Sequence, residues 1–220
     1  MYTPLEEVSL KDLCQRPIMF DANIFMIGIE EENSNPDCSF ENMKENYLIP
    51  LFESFNEIII HEMVYNELDP KRKTFVDSYK ERNVKIVSEG ELYGKDPQYT
   101  TIFNNIAEHE RVRYGRGTSK DRGEVYSLAY AAFNKINYFS SKEIMVDDIA
   151  KDLDDLQDIQ VITFDVIVVL AYVYYSLKDD NTHNRALKAM YKRYCEDVIR
   201  RHKLPSTLKG YLEQCIQYIG

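Results

Sequence analysis

Pro17-Ile-Met-Phe-Asp-Ala-Asn-Ile-Phe-Met26 sets one aspartate in the middle of an apolar run. Ile18-Met-Phe20 is apolar at every position rather than at alternate ones, the pattern of a strand covered on both faces. An ionised carboxylate buried beside such a strand costs several kcal/mol unless it is paired or bound to a metal. Asp21 therefore needs partners, and the rest of the chain must supply them.

Working outward, Glu57-Ile-Ile-Ile60 is a second short β-branched strand that leads into His61-Glu-Met-Val-Tyr-Asn-Glu-Leu68, where helical spacing takes over. Residues 30–45, acidic and Asn-rich, read as a loop or the start of a helix. An exposed helix is expected over 70–82, a third strand over 84–87, and helices over 97–114 and 123–136. The last two are joined by the basic linker Gly115-Arg-Gly-Thr-Ser-Lys-Asp121. A fourth strand at 138–141, a helix over 145–156 and a fifth strand at 160–163 follow. Asp165 is placed to cap a final apolar helix from Val166. Strands separated by helices imply βαβ units, hence an α/β fold with a Rossmann-like central parallel sheet of about five strands flanked by helices. We expect one main domain over 1–177 and a helical C-terminal extension over 178–220. That extension has a local basic bias from Arg185, Lys188, Lys192, Arg193, Arg200, Arg201 and Lys203.

The whole chain is acidic, with a formal net charge of -10 and a pI near 5.0, which argues against coating nucleic acid by bulk attraction. It leaves room for a nuclease, whose site is built from acids that a metal neutralises. Cys14, Cys38, Cys195 and Cys215 form no C-x-x-C pair, so neither a zinc site nor a redox motif is expected. Reduced thiols and a cytoplasmic location follow as expectations, with no signal peptide. The apolar run 166–175 is too short to span a bilayer, so no membrane partner is expected.

In open α/β sheets functional groups collect at the carboxyl ends of the strands. Asp21 closes the first strand and Glu67 lies a turn or two beyond the second. Glu124 opens the helix after the basic linker, with Asp121 one turn before it. Glu143 follows the fourth strand, and Asp147 and Asp148 sit in the first turn of the next helix. A carboxylate set without His or Cys suits a hard cation held through oxygen, Mg²⁺ or Mn²⁺. Asp121 would serve equally as a helix cap, and Asp147 and Asp148 would favour a helix N-terminus through its dipole.

Taken in chain order these residues resemble the PIN-domain nucleases. Asp21-Ala-Asn23 matches the family's Asp-x-Asn after its first strand, and Val64-Tyr-Asn-Glu-Leu68 its second acidic segment. Asp121-Arg-Gly-Glu-Val-Tyr-Ser-Leu-Ala129 looks like its Asp-x-Gly-Glu ahead of an Ala/Leu-rich helix. At the fourth position, where the family usually carries Ser/Thr-x-Asp or Asp-Asp, this chain reads Ser140-Ser-Lys-Glu143. Glu143 aligns by strand position, and Asp147 or Asp148 takes its place if the helix begins a turn later.

The resemblance covers roughly residues 15 to 175. It implies an Mg²⁺- or Mn²⁺-dependent endoribonuclease acting on single-stranded or structured RNA, as toxin-type or RNA-processing members are. Asp21, Glu67, Glu124 and Glu143 would be catalytic and hold the metal with Asp121 and Asp147, while Asn23 and Ser141 would support them by hydrogen bonds. Arg111, Arg113, Arg116 and Lys120, just before Asp121, would clamp the phosphate backbone. An antitoxin or another protein partner, or a homodimer, is left open. The rival readings are a DNA or flap-type nuclease of related fold and a PIN-like binding or scaffold protein without turnover.

Overall fold

The computed structural model describes residues 10–29, 32, 39–116, 118–177, 184–196, 199–200, 203 and 205–211. Five short strands, β1 (Ile18–Phe20), β2 (Ile58–His61), β3 (Val84–Val87), β4 (Tyr138–Ser141) and β5 (Gln160–Thr163), form one parallel sheet in the order β3-β2-β1-β4-β5. The expected α/β architecture is present, a central parallel sheet flanked by helices. In register, Ile18, Met19 and Phe20 of β1 lie between Ile58, Ile59 and Ile60 of β2 and Tyr138, Phe139 and Ser140 of β4. All of β1, β2 and β4 is buried, which is why none of the three alternates in sequence.

The helices are α1 (Leu10–Gln15), α2 (Ala22–Phe25), α3 (Phe40–Met43), α4 (Ile49–Ser54), α5 (Glu62–Glu67), α6 (Pro70–Asp77), α7 (Pro97–Glu108), α8 (Arg122–Phe133), α9 (Ile144–Asp152), α10 (Phe164–Leu177) and α11 (Asn184–Tyr194). The chain groups into two compact units that interleave along the sequence: 17–25 with 57–162, and 1–16 with 26–56 and 163–220.

The first of these units holds the sheet. Its core gathers Met19, Ile59 and Phe139 from the strands with Tyr99, Phe103 and Ile106 of α7, Leu128 of α8 and Ile149 of α9. Local chemistry sets the helix starts. Asp69 accepts the N–H groups of Lys71 and Arg72 with Pro70 behind it, and Asp96 does the same for Gln98 and Tyr99 ahead of Pro97. Buried Arg72 pairs with Asp69 and donates Nε–H to the Phe25 carbonyl at 2.8 Å, tying down the end of α2.

In the second unit α10 packs against α4 and α11, and its residues 164–171 are buried throughout. A π-helical turn, Lys44–Leu48, joins α3 to α4 just before Pro50, which has no N–H to donate back to the Asn46 carbonyl.

Four expectations change. The helix expected over 97–114 ends at Glu108; His109 ends it, and Tyr114 bridges to Thr118 beyond it. Helix α6 ends at Asp77, and residues 78–83 turn into β3. Within 30–45, where a loop or a helix start was expected, the helix start is realised at Phe40, and helical structure runs on to Ser54, beyond the expected stretch. Asp165 does not cap α10 but lies inside its first turn, buried, accepting the Tyr211 hydroxyl at 2.6 Å. Residues 178–183 and most of 197–204 lie outside the described residues, so the expected boundary at 177/178 and part of the basic segment are not described. No helix among the described residues is long and apolar enough to cross a membrane.

Candidate functional site

From β1 the chain winds to β2 and β3 on one side, and from β4 to β5 on the other. Between two strands whose connections part in this way, the carboxyl ends leave a crevice, the usual binding position in a doubly wound sheet. Asp21 stands at the end of β1 and Ser141 at the end of β4, joined by the Asp21 N–H donating to the Ser140 carbonyl at 3.0 Å.

Asp21 is buried, 1% exposed. Its Oδ1 accepts the Ala22 N–H at 2.7 Å, and its Oδ2 accepts Asn23 Nδ2 at 2.6 Å and the Ser141 hydroxyl at 2.9 Å. Asn23 also reaches Ser141 Oγ at 3.0 Å and accepts the Lys142 N–H at 2.8 Å, so it clasps β1 to the turn after β4. Every donor to Asp21 is neutral, and none of the described residues forms an ion pair with it. Burial pushes its pKa well above the ordinary carboxylate range, and the charges of Glu124 and Glu67 add to that push. The Ser141 hydroxyl and the Ala22 N–H oppose it without reversing the direction.

Glu124, in the first turn of α8, is partly buried, and its pKa is raised from 4.5 to about 7. Burial is the main cause, with Glu143, Glu67 and Asp121 adding repulsion. Glu67, the last residue of α5, is exposed as a residue, yet its carboxylate accepts the N–H of buried Gly123. Partial burial raises its pKa against the pull of that N–H and of Arg122. A Cβ at position 123 would stand 3.0 Å from Glu67 Oε1 and 3.3 Å from Val64 Cγ2, so any larger residue there would push the Glu67 and Val64 side chains back by a few tenths of an ångström. Glu143 caps the start of α9 by position, is exposed, and donates its N–H to Ser141 Oγ at 3.0 Å. Asp21, Glu67, Glu124 and Glu143 thus act on one another electrostatically across four segments.

The other predicted residues lie in different company. Asp121 accepts the Arg113 N–H at 2.8 Å, Nε at 3.0 Å and Nη2 at 2.6 Å, which holds its pKa below the usual value. It has φ 62 and its side chain does not cap α8, so the capping alternative for it is not realised. Asp147 pairs with Lys151 at 2.5 Å, and Asp148 pairs with Arg111. Of the expected phosphate clamps, Arg113 is thus held by Asp121 and Arg111 by Asp148. The Arg116 guanidinium donates to the carbonyls of Glu108, His109 and Glu110, each at 3.2 Å. Lys120 forms no ion pair with a described residue.

Two features were not read from the sequence. His61, fully buried at the end of β2, accepts the Met63 N–H at Nδ1 (3.2 Å) and so opens α5. A neutral ring accepting at Nδ1 carries its proton on Nε2, which faces Glu89 Oε2 at 3.0 Å. Burial lowers the His61 pKa to about 4 and raises that of Glu89. A histidine between a β-branched strand and a helical run was the signal available, that of an N-cap. The second feature is Arg122, the unnamed residue of Asp-x-Gly-Glu.

Among the described residues no three His, Cys, Asp or Glu side chains converge tightly enough to grip one ion as they are placed. The donor chemistry nevertheless fits a hard divalent cation: oxygen ligands only, around a buried aspartate that has no cationic partner. Comparison with protein-family models, with curated proteins and with solved structures finds no match.

Proposed function

We propose that this chain is a PIN-like, Mg²⁺- or Mn²⁺-dependent nuclease that hydrolyses RNA phosphodiester bonds. The observation that carries the reading is Asp21, buried at the switch point between β1 and β4 with neutral donors and acidic neighbours. A buried aspartate with acidic neighbours that repel it is costly as it stands, and a divalent cation would offset the cost. When bound there, the cation supplies a water of lowered pKa and offsets charge on the phosphodiester.

The chain's own groups do the rest. Asp21 is fixed by Asn23 and Ser141, so its carboxylate has one orientation. Glu124 and Glu67 stand on α8 and α5, which meet at Gly123, and would hold a cation by rotating about their side-chain bonds. Glu143 is the free acid at the end of β4, whereas Asp147 and Asp148 are engaged by basic residues. A cytoplasmic location and an antitoxin or other protein partner belong to the same reading.

Purified protein incubated with labelled single-stranded RNA and DNA, in Mn²⁺ or in EDTA, tests this. The expected result is RNA cleavage that needs the metal and falls about 10³-fold in Asp21→Asn and Glu124→Gln, the rate equivalent of ~4 kcal/mol. RNA left intact under every condition sinks the nuclease reading. A second reading, a PIN-like module that binds without turnover, draws on the lack of convergent ligands and on Glu143 standing exposed. RNA binding without cleavage in Mn²⁺ is its signature.

A further inference from the structure

The stretch 111–122 carries five cations in an acidic protein, and the structure divides them. Arg111 and Arg113 are held by Asp148 and Asp121, and Arg116 by three backbone carbonyls. Among the described residues, the side chains of Lys120 and Arg122 form no hydrogen bond or ion pair. Arg122 is the one of the two that adjoins the acids. It is the first residue of α8, next to Gly123 on which the Glu67 carboxylate rests, and two residues before Glu124.

Its guanidinium carbon lies 5.5 Å from the ring centroid of Tyr126, one turn along the helix, and the residue is exposed. A ring beneath one face of a guanidinium holds the plane and leaves the N–H edge for solvent or a ligand. That edge is the geometry that receives two oxygens of a phosphate at once. The charge of Arg122 is felt by both Glu67 and Glu89, yet it closes on neither. A phosphodiester approaching this crevice meets several carboxylates, so a basic group at the rim is needed besides any metal.

We infer that Arg122 is the phosphate-contacting cation of this site, seated on Tyr126 to hold the backbone of a bound nucleic acid beside Asp21 and Glu124. The inference rests on the nuclease reading and adds a binding residue to it. Arg122 is a contact for the backbone phosphate, so it tightens binding without selecting bases.

The test is fluorescence anisotropy of a fluorescein-labelled single-stranded RNA in Ca²⁺ over a range of salt, with cleavage in Mn²⁺ measured in parallel. Arg122→Gln is expected to weaken binding about tenfold and to reduce the slope of log Kd against log salt by about one. Arg122→Lys keeps the slope but recovers only part of the affinity, because an ammonium lacks the fork. Lys85→Gln, whose parent side chain pairs with Glu57 at the amino end of β2, leaves affinity and slope near those of the unaltered protein. Melting curves confirm folding of each variant. If Arg122→Gln binds RNA with unchanged affinity and slope while Asp21→Asn abolishes cleavage, the nuclease reading stands and Arg122 loses its role. If Arg122→Gln weakens binding but Asp21→Asn still cleaves, Arg122 stands and the carboxylate site falls. No RNA binding by the unaltered protein overturns both.

Discussion

Asp21 and Asp121 are both buried, and each accepts three hydrogen bonds, yet they sit on opposite sides of the ordinary carboxylate range. Asp121 takes all three from one arginine, which brings a full positive charge with its N–H groups, and its pKa goes down. Asp21 takes its three from a backbone amide, an amide side chain and a hydroxyl, among acidic neighbours, and its pKa goes up. Hydrogen bonds alone therefore do not settle a buried carboxylate. The charge of the donor and of the surroundings does. Asp121 is complete within the chain, whereas Asp21 and Glu124 lack a cationic partner among the described residues.

The largest test of that contrast is the pH dependence of stability without metal. The folded pKa of Glu124, about 7, lies above its unfolded value of 4.5, so the ionised form is destabilising. Metal-free protein then loses stability as pH rises from about 4.5 to 7, by roughly 3 kcal/mol at most for this one group. Asp21 pushes the same way. His61 works in the opposite sense: with a folded value of about 4 against 6.5, its contribution is present above 6.5 and is lost as pH falls. The informative quantity is therefore the difference between Glu124→Gln and the parent, not the parent's curve. Glu124→Gln should melt higher than the parent at pH 8 in EDTA, with the gap closing toward pH 4.5. A variant that melts no higher at pH 8 would break the account of an uncompensated cluster. Added Mg²⁺ should raise the melting point of the parent at pH 8 more than that of the variant.

The second test takes the compensated aspartate apart. Arg113→Ala leaves Asp121 buried without its cation, and Asp121→Asn leaves the guanidinium without its anion. Each is expected to lower the midpoint of urea unfolding, by less than a fully buried pair would because the Arg113 side chain is 55% exposed. Asparagine tolerates the left-handed backbone at this position, so Asp121→Asn removes the charge, and one accepting oxygen with it, without straining the chain. The double variant should cost less than the sum of the two single variants. The pH sense is opposite to that of Glu124: the folded pKa is lowered, so the contribution is present above about 3.8 and is lost as pH falls. A coupling near zero would mean that Asp121 is held by the loop rather than by the ion pair.

How much of this could be read in the chain depends on the range of the interaction. The strands were legible because burial on both faces leaves unbroken runs such as Ile58-Ile-Ile60, and Gly, Asn and charged residues bound them. The bond from Asn23 to Asp21 was legible because the two lie two residues apart. The partner choices were not. Arg111, Arg113 and Arg116 look alike in sequence, and only the folded backbone around them, with the positive φ at Asp121, delivers each to a different acceptor. The facing of His61 and Glu89 depends on β2 and β3 being adjacent, a topological fact no local pattern encodes. Asp165 was misplaced for the same reason, since its partner Tyr211 is distant in sequence.

The smallest expected effect concerns the hydroxyl that separates the two kinds of aspartate. Ser141 Oγ donates to Asp21 Oδ2 at 2.9 Å and accepts Asn23 Nδ2 and the Glu143 N–H, both at 3.0 Å. One donor and two lone pairs are all a hydroxyl has, so this one is fully used. Ser141→Ala should therefore lower stability by only ~1 kcal/mol, because Asn23 and Ala22 still satisfy Asp21. Cleavage should fall by about tenfold, since Asp21 loses the bond that fixes its second oxygen and Glu143 loses the acceptor that sets the start of α9. The ratio to the Asp21→Asn effect carries the meaning. A loss as large as that of Asp21→Asn would make Ser141 a direct participant in binding the cation or the substrate. A loss far smaller, with Asp21 still ionising well above the ordinary range in the variant, would show that burial and the acids around it, rather than its hydrogen bonds, hold Asp21 in the state that calls for a cation.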